Sequence, residues 1–389
     1  MTPKSSLALV AALLSAPSTA IEYTVETCAD LADVDDTLVT GLIVDSSTFP
    51  CDEYTRFRVR NTMTLKATAP AVKFSNFSLK VLGALTVEPD VAFTGVVGQV
   101  KNGGVLYIAE GAAATFLGTA EFTDNSIVLK QLGEVSCGDG CTVTGRGTSY
   151  IVKKGGAVHN KGTLSFEGDA TFNRNEVRAD DYDVGKAGAI SNSGSGTILF
   201  NGNLNMANNT AGDLLAGLGG GMYNRGDISV DGDAYISGGL ASDGGGIYQT
   251  KIGKITFNGM ATFVDNSAQN FFGGAVYNGG GIANFEAGSL FEGNFASGGG
   301  DGGLGGAIFN GDAGVITLKG STIFRGNSAV WGGAIYNTAI GEWNSNADTP
   351  ASITTFPDDT VFVDNDAENC PNVNNGYDRT LGGSSCPEV

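Results

Sequence analysis

The hexad Gly273-Gly274-Ala275-Val276-Tyr277-Asn278 constrains this chain most. It is written again at Gly155 to Asn160, Gly219 to Asn224, Gly244 to Gln249, Gly305 to Asn310 and Gly332 to Asn337, with a worn copy from Ala187 to Asn192. Copies recur at intervals of roughly 25 to 32 residues, and self-similarity at such a period marks stacked supersecondary units. Each unit buries its apolar face against its neighbours, so the fold should grow in one dimension.

Within the hexad the residues alternate at the period of a strand. Its second, fourth and sixth positions should share one side, and its first, third and fifth the other. The fourth is aliphatic throughout: Val158, Ile190, Met222, Ile247, Val276, Ile308, Ile335. The fifth reads His159, Ser191, Tyr223, Tyr248, Tyr277, Phe309, Tyr336. An inward aliphatic stack holding Val276 and Ile308 is therefore expected, with an outward row of Tyr223, Tyr248, Tyr277, Phe309 and Tyr336. The sixth position is Asn160, Asn192, Asn224, Asn278, Asn310 and Asn337, with Gln249 in the remaining copy. Asn suits tight turns, and stacked every ~4.8 Å its amide can pair above and below as a ladder.

A second signature follows most hexads: Phe172 to Asn175, Phe263 to Asn266, Phe291 to Asn294 and Phe324 to Asn327, each Phe-x-x-Asn, with a softer Met206 to Asn209. Phe122 to Asn125 and Phe362 to Asn365 flank the array. Between the two lies a short alternating run such as Thr163-Leu164-Ser165-Phe166 or Lys254-Ile255-Thr256-Phe257. Three short strands per repeat describe one coil of an all-β solenoid, a parallel β-helix with capped ends. Parallel crossovers are overwhelmingly right-handed, so the helix should be too.

The paired motifs resemble the polymorphic outer membrane protein repeat, Gly-Gly-Ala-Ile/Leu/Val with Phe-x-x-Asn, over about Phe122 to Asn365. Gly274-Ala275-Val276, Gly306-Ala307-Ile308 and Gly333-Ala334-Ile335 carry the likeness most closely. The resemblance implies a pectin-lyase-like β-helix. For members of the autotransporter kind it implies a surface adhesin whose passenger precedes a C-terminal membrane barrel. This chain ends at Val389 with no run of alternating barrel strands. A secreted relative without the barrel is expected instead. The sequons at Asn76 and Asn208 fit a glycosylated, exported chain.

The segments divide accordingly. Residues 1–20 read as a secretory signal, with Lys4, an apolar run from Leu7 to Leu14 and Ser18-Thr19-Ala20 before the cut. Residues 21–55 should cap the first coil, 56–154 form degenerate early coils with an insertion, 155–368 carry the regular repeats, and 369–389 close the end. The six cysteines fall in three local couples, Cys28 with Cys51, Cys137 with Cys141 and Cys370 with Cys386. In an exported chain these read as disulfides. A zinc site has little to draw on, since His159 is the single histidine.

Net charge is −19, which argues against nucleic acid and anionic membrane as partners. No segment beyond the signal is apolar enough to cross a membrane as a helix. Asp231, Asp233 and Asp243 fall on neighbouring coils but form no catalytic pattern, and Asp180, Asp181 and Asp183 offer at most weak calcium binding. No cofactor and no resident metal are expected. Three classes of function remain open. The first is a secreted or cell-surface protein that binds an extracellular glycan or a surface protein through the aromatic row, without catalysis. The second is a carbohydrate-active enzyme of pectate-lyase-like fold, and the third a structural wall or matrix component. A bare aromatic strip would favour the first and a covered strip the third.

Overall fold

A computed structural model describes residues 21–34, 38–98, 104–127, 152–178, 184–212, 217–298, 302–338, 353–355, 357–375, 377–378 and 383–384. Among the described residues the chain is all-β apart from one 3-10 turn, Cys28–Asp33, and its strands form long parallel sheets. Within these sheets each strand pairs with its counterpart in the neighbouring repeat. Val276 lies opposite Ile308, Tyr277 opposite Phe309 and Asn278 opposite Asn310. The repeat length is therefore the distance around one layer.

Several columns run through the stack. The alternating runs make a 12-stranded sheet from Glu22–Val25 to Ile353–Thr355, including Thr163–Phe166, Lys254–Phe257 and Val315–Leu318. Ordered coils thus begin well before the first hexad, within the stretch read as a cap. The hexads supply a second column (Val158–Asn160, Val276–Gly279, Ile308–Gly311) and the Phe motifs a third (Ala170–Asn173, Ala261–Val264, Thr322–Arg325). A fourth column, absent from the expected coil, is a nine-stranded sheet of very short strands just after each Phe-x-x-Asn, such as Ser267–Ala268.

The interior is apolar in layers. Val276 and Ile308 are buried. Phe263, Phe291, Phe324 and Phe362 stack at 4.9 to 5.1 Å between ring centres, as do Phe122 and Phe172 at 4.9 Å. A parallel file of Phe116, Phe166 and Phe200 meets them edge to face. Each offset or T-shaped pair adds about 0.5–1.5 kcal/mol beyond its burial.

The hexad does not alternate as its spacing suggests. Gly273 has φ +63° and its counterparts Gly155, Gly219, Gly244, Gly305 and Gly332 lie between +62° and +73°, so the chain bends before the strand starts at the fourth position. The third position, Ala275 or Ala307, faces the core beside the fourth. The second-position glycines are not on a side-chain face at all. They stack backbone on backbone, and a Cβ on Gly274 would sit 2.1 Å from the carbonyl oxygen of Gly306. Glycine is required there by the approach of the next coil.

Two buried amide ladders tie the coils. Asn160 donates to Asn192 at 2.9 Å, Asn192 to Asn224 at 3.0 Å, Asn278 to Asn310 at 2.9 Å and Asn310 to Asn337 at 3.2 Å. Gln249 bridges the copy that lacks Asn, receiving from Asn224 at 3.3 Å and donating to Asn278 at 3.1 Å. A second ladder runs through the Phe-x-x-Asn residues, Asn125 to Asn175 and Asn266 through Asn294 and Asn327 to Asn365, at 2.9 to 3.0 Å. Each amide also reaches backbone groups, as Asn294 does to the Phe263 carbonyl, so these buried polar atoms are paired.

Cys28 and Cys51 are bonded, joining the 3-10 turn to the strand Thr48–Val59. Cys370 is also in a disulfide; Cys386, expected as its partner, lies outside the described residues together with Cys137 and Cys141. The signal at 1–20 lies outside them too.

Candidate functional site

The fifth-position residues form one continuous column on the side of the hexad strand away from the core. Tyr223 stacks on Tyr248 at 5.4 Å, Tyr248 on Tyr277 at 4.3 Å, Tyr277 on Phe309 at 5.1 Å and Phe309 on Tyr336 at 5.8 Å. Upstream the column continues through Ser191 and His159 to Tyr107.

A bare outer strip is not what forms. Tyr223, Phe309 and Tyr336 are buried at 6, 3 and 4% exposure, and Tyr248 and Tyr277 are half-buried. The cover is the residue just before each hexad. Positive φ at the first glycine turns the chain back, so Lys154, Lys186, Leu218, Asp243, Phe272, Leu304 and Trp331 build a partner column. Phe272 meets Phe309 at 4.6 Å, and Leu304, Phe309 and Tyr336 make a small second core with Phe272, Tyr277 and Trp331 around it. The alternation rule finds the row but does not reveal this turn, which superposes two positions of the repeat.

Burial shapes the ionisation of the column. It pushes the Tyr277 hydroxyl up to about 12 and the Tyr248 hydroxyl higher still, each helped by the charge of Asp243. Asp243, facing this pair, is raised to about 6, mainly by burial, against the opposing pull of the Phe272 amide it accepts from at 3.2 Å. At the other end His159 is wholly buried and lowered to about 3, first by burial, then by Lys154 and Lys161. The Ser191 backbone lies close enough to favour its charged form, yet neither ring nitrogen forms a hydrogen bond of good geometry.

The remaining candidates separate. Asp231 and Asp233 lie in the turn after the strand Asp227–Val230, away from Asp243 in the cover column. Asp231 accepts from Asn258 at 2.6 Å, and Asp233 caps the Met260 amide at 2.9 Å. Asp169 and Asn203 cap the next coil in the same way, at 2.8 and 2.9 Å. These groups hold turns. Arg174 pairs with Asp124 at 2.6 Å, both in left-handed turns. Asn208 is exposed in such a turn, whereas Asn76 is half-buried and donates to the Cys51 carbonyl at 2.9 Å. Asp180, Asp181 and Asp183 lie outside the described residues. Among the described residues no group of three or more His, Cys, Asp or Glu side chains is placed to hold a metal, and no helix is long and apolar enough to cross a membrane.

No family model, no curated protein and no solved structure matches this chain.

Proposed function

We propose that the chain is a right-handed parallel β-helix with three principal strands per coil, of the polymorphic outer membrane protein repeat kind. It is exported, and it works by presenting a rigid surface that binds an extracellular glycan or a cell-surface protein, without catalysis. The observation that carries this reading is how the outward carboxylates are used. Asp90, Asp169, Asp231 and Asp233 each accept a short hydrogen bond from a backbone amide or an Asn side chain of an adjacent coil. A general acid or base must instead be held against substrate. Rigid scaffolds with side chains varied at fixed positions are where recognition sits.

A structural role in a wall or matrix is the second reading, and the cover over Phe309 and Tyr336 favours it. Of the five rings from Tyr223 to Tyr336, Tyr248 and Tyr277 are the half-buried ones that leave ring surface for a ligand. Screening the mature chain against an array of neutral and acidic glycans, with a parallel assay for new reducing ends, tests the proposal. Retention without cleavage is expected. Release of sugar would replace the reading with the enzymatic one, and failure to retain any glycan or to attach to cells would leave the structural one.

A further inference from the structure

The outer column changes character at its upstream end. Lys154 and Lys186 are direct cross-strand partners in parallel register, an arrangement that is destabilising for like charges. Both are half-buried, and both amines are held below their usual range, first by burial; Lys186, Lys161 and Arg225 then act on Lys154, and Arg225 on Lys186. The Lys186 ammonium lies 4.7 Å from the Tyr223 ring centre and 3.3 Å from its hydroxyl. Five ion pairs occur among the described residues, and none involves Lys154, Lys161, Lys186 or Arg225. In a chain of net charge −19, four neighbouring cations with no ion pair among the described residues need a reason.

Beneath them the column narrows to Ser191, set between His159 and Tyr223. The row of stacked rings is interrupted at this one small side chain. His159 is 0% exposed with both nitrogens unpaired, although a neutral imidazole carries one N–H to donate. Leaving such a group unpaired is destabilising.

We infer that these coils hold a binding site for a sulfate-type oxyanion, free or as the ester of a sugar, with Lys154, Lys186, Arg225 and Lys161 as its cations and His159 beneath them. The anion relieves the repulsion between the lysines and supplies acceptors beyond the Tyr223 hydroxyl that Lys186 already reaches. The acidic remainder of the surface repels a long polyanion, so a single charged group or a short oligosaccharide is the ligand. Cations continue along the same column at Lys80, 5.7 Å from the Tyr107 ring, and at Arg58, where the rest of an acidic oligosaccharide would run. The oxyanion site stands apart from the proposed binding function, and only its occupation by a sugar ester rests on that reading.

Thermal unfolding of the mature chain at constant ionic strength tests it, with chloride exchanged for inorganic sulfate or for N-acetylglucosamine 6-sulfate, and with uncharged N-acetylglucosamine added to the chloride buffer as the control. Sulfate should raise Tm saturably at millimolar concentration, beyond the general salting effect seen in Lys154→Gln/Lys186→Gln. A larger shift with the sugar sulfate than with the free ion assigns the ester; equal shifts assign the free ion. An identical sulfate shift in parent and double variant overturns the site. In chloride alone, Lys154→Gln should be at least as stable as the parent. A loss of stability there would show that the amine is already neutralised within the chain, and would equally overturn it.

Discussion

The coils that carry Lys154 and Lys186 and the coils that carry Phe272, Leu304 and Trp331 share one backbone, yet lay opposite chemistry over the fifth position. Downstream, apolar cover seals Phe309 and Tyr336 into a second core. Upstream, half-buried cations sit over His159, Ser191 and Tyr223. Both ends keep the same amide ladder, with Asn160 to Asn192 and Asn278 to Asn310 each at 2.9 Å. The backbone is specified by glycine and asparagine, and the cover position and the fifth position are left to diverge. Specialisation here costs the scaffold little.

If the scaffold is common, breaking it should hurt both ends alike. A Cβ at Gly306 would meet the Gly333 carbonyl oxygen at 2.1 Å, and one at Gly188 would meet that of Gly220 at 2.3 Å. Gly306→Ala and Gly188→Ala should each cost several kcal/mol, on the order of 3 or more, because backbone must move. Chemical denaturation of both variants checks this, and tolerance at either site would mean the two ends are held by different means.

A charge at the fifth position should separate them. Phe309→Asp buries an unpaired carboxylate in an apolar cluster and should cost about 3–5 kcal/mol. Ser191→Asp places the same group among Lys154, Lys186 and Arg225, and should leave Tm unchanged or raised while abolishing the sulfate shift. Equal destabilisation by the two substitutions would dissolve the contrast.

The pH dependence of stability should have opposite signs at the two ends. Asp243, raised from 3.8 to about 6, binds more protons folded than unfolded across that interval, so its contribution is present below the lower value and lost as pH rises through the upper. His159, lowered from 6.5 to about 3, binds fewer protons folded, so its contribution is present above 6.5 and lost as pH falls. Asp243→Asn should therefore stabilise the chain at pH 7 by on the order of 1–2 kcal/mol after allowing for solvent screening. His159→Phe, which keeps a ring beside Tyr107, should stabilise it at pH 5 by about 2 kcal/mol or more. Melting curves from pH 4 to pH 8 compare the two, and parallel pH profiles for both variants and the parent would count against these assignments.

Much of this was legible in the residues, and the failures share one cause. The columns, the inward Val276 and Ile308 and the pairing amides follow from period and residue type. What period-two reading could not supply is the bend at the first glycine of the hexad, with φ +63° at Gly273, which puts Ala275 in the core, Gly274 in a backbone column and Phe272 over Phe309. A signal was there: the residue before the hexad is apolar in the last three copies, Phe272, Leu304 and Trp331, and these are the residues that pack with Phe309 and Tyr336. Gln249 joins the ladder although it is not Asn, because its longer amide spans the same gap. The juxtaposition of Lys154, Lys186 and His159 was hidden for the same reason as the cover, since it depends on which coil folds back over which.

The smallest effect isolates that bend. Ala187 occupies the glycine position with φ +63° and is the one hexad start that is not Gly. Ala187→Gly should raise stability by about 1 kcal/mol by relieving left-handed strain. No gain would mean the turn at this coil is not strained.

The central claim is that the aromatic row is packing and that recognition lies beside it. Thermal melting of Tyr248→Ser/Tyr277→Ser/Tyr336→Ser, run alongside its sulfate shift, tests that most directly. The expected result is a Tm lowered by many degrees, since each truncation removes a stacked ring under cover, with the sulfate shift retained in the folded fraction. An unchanged Tm with lost ligand binding would contradict the claim, because it would make the row an open binding strip.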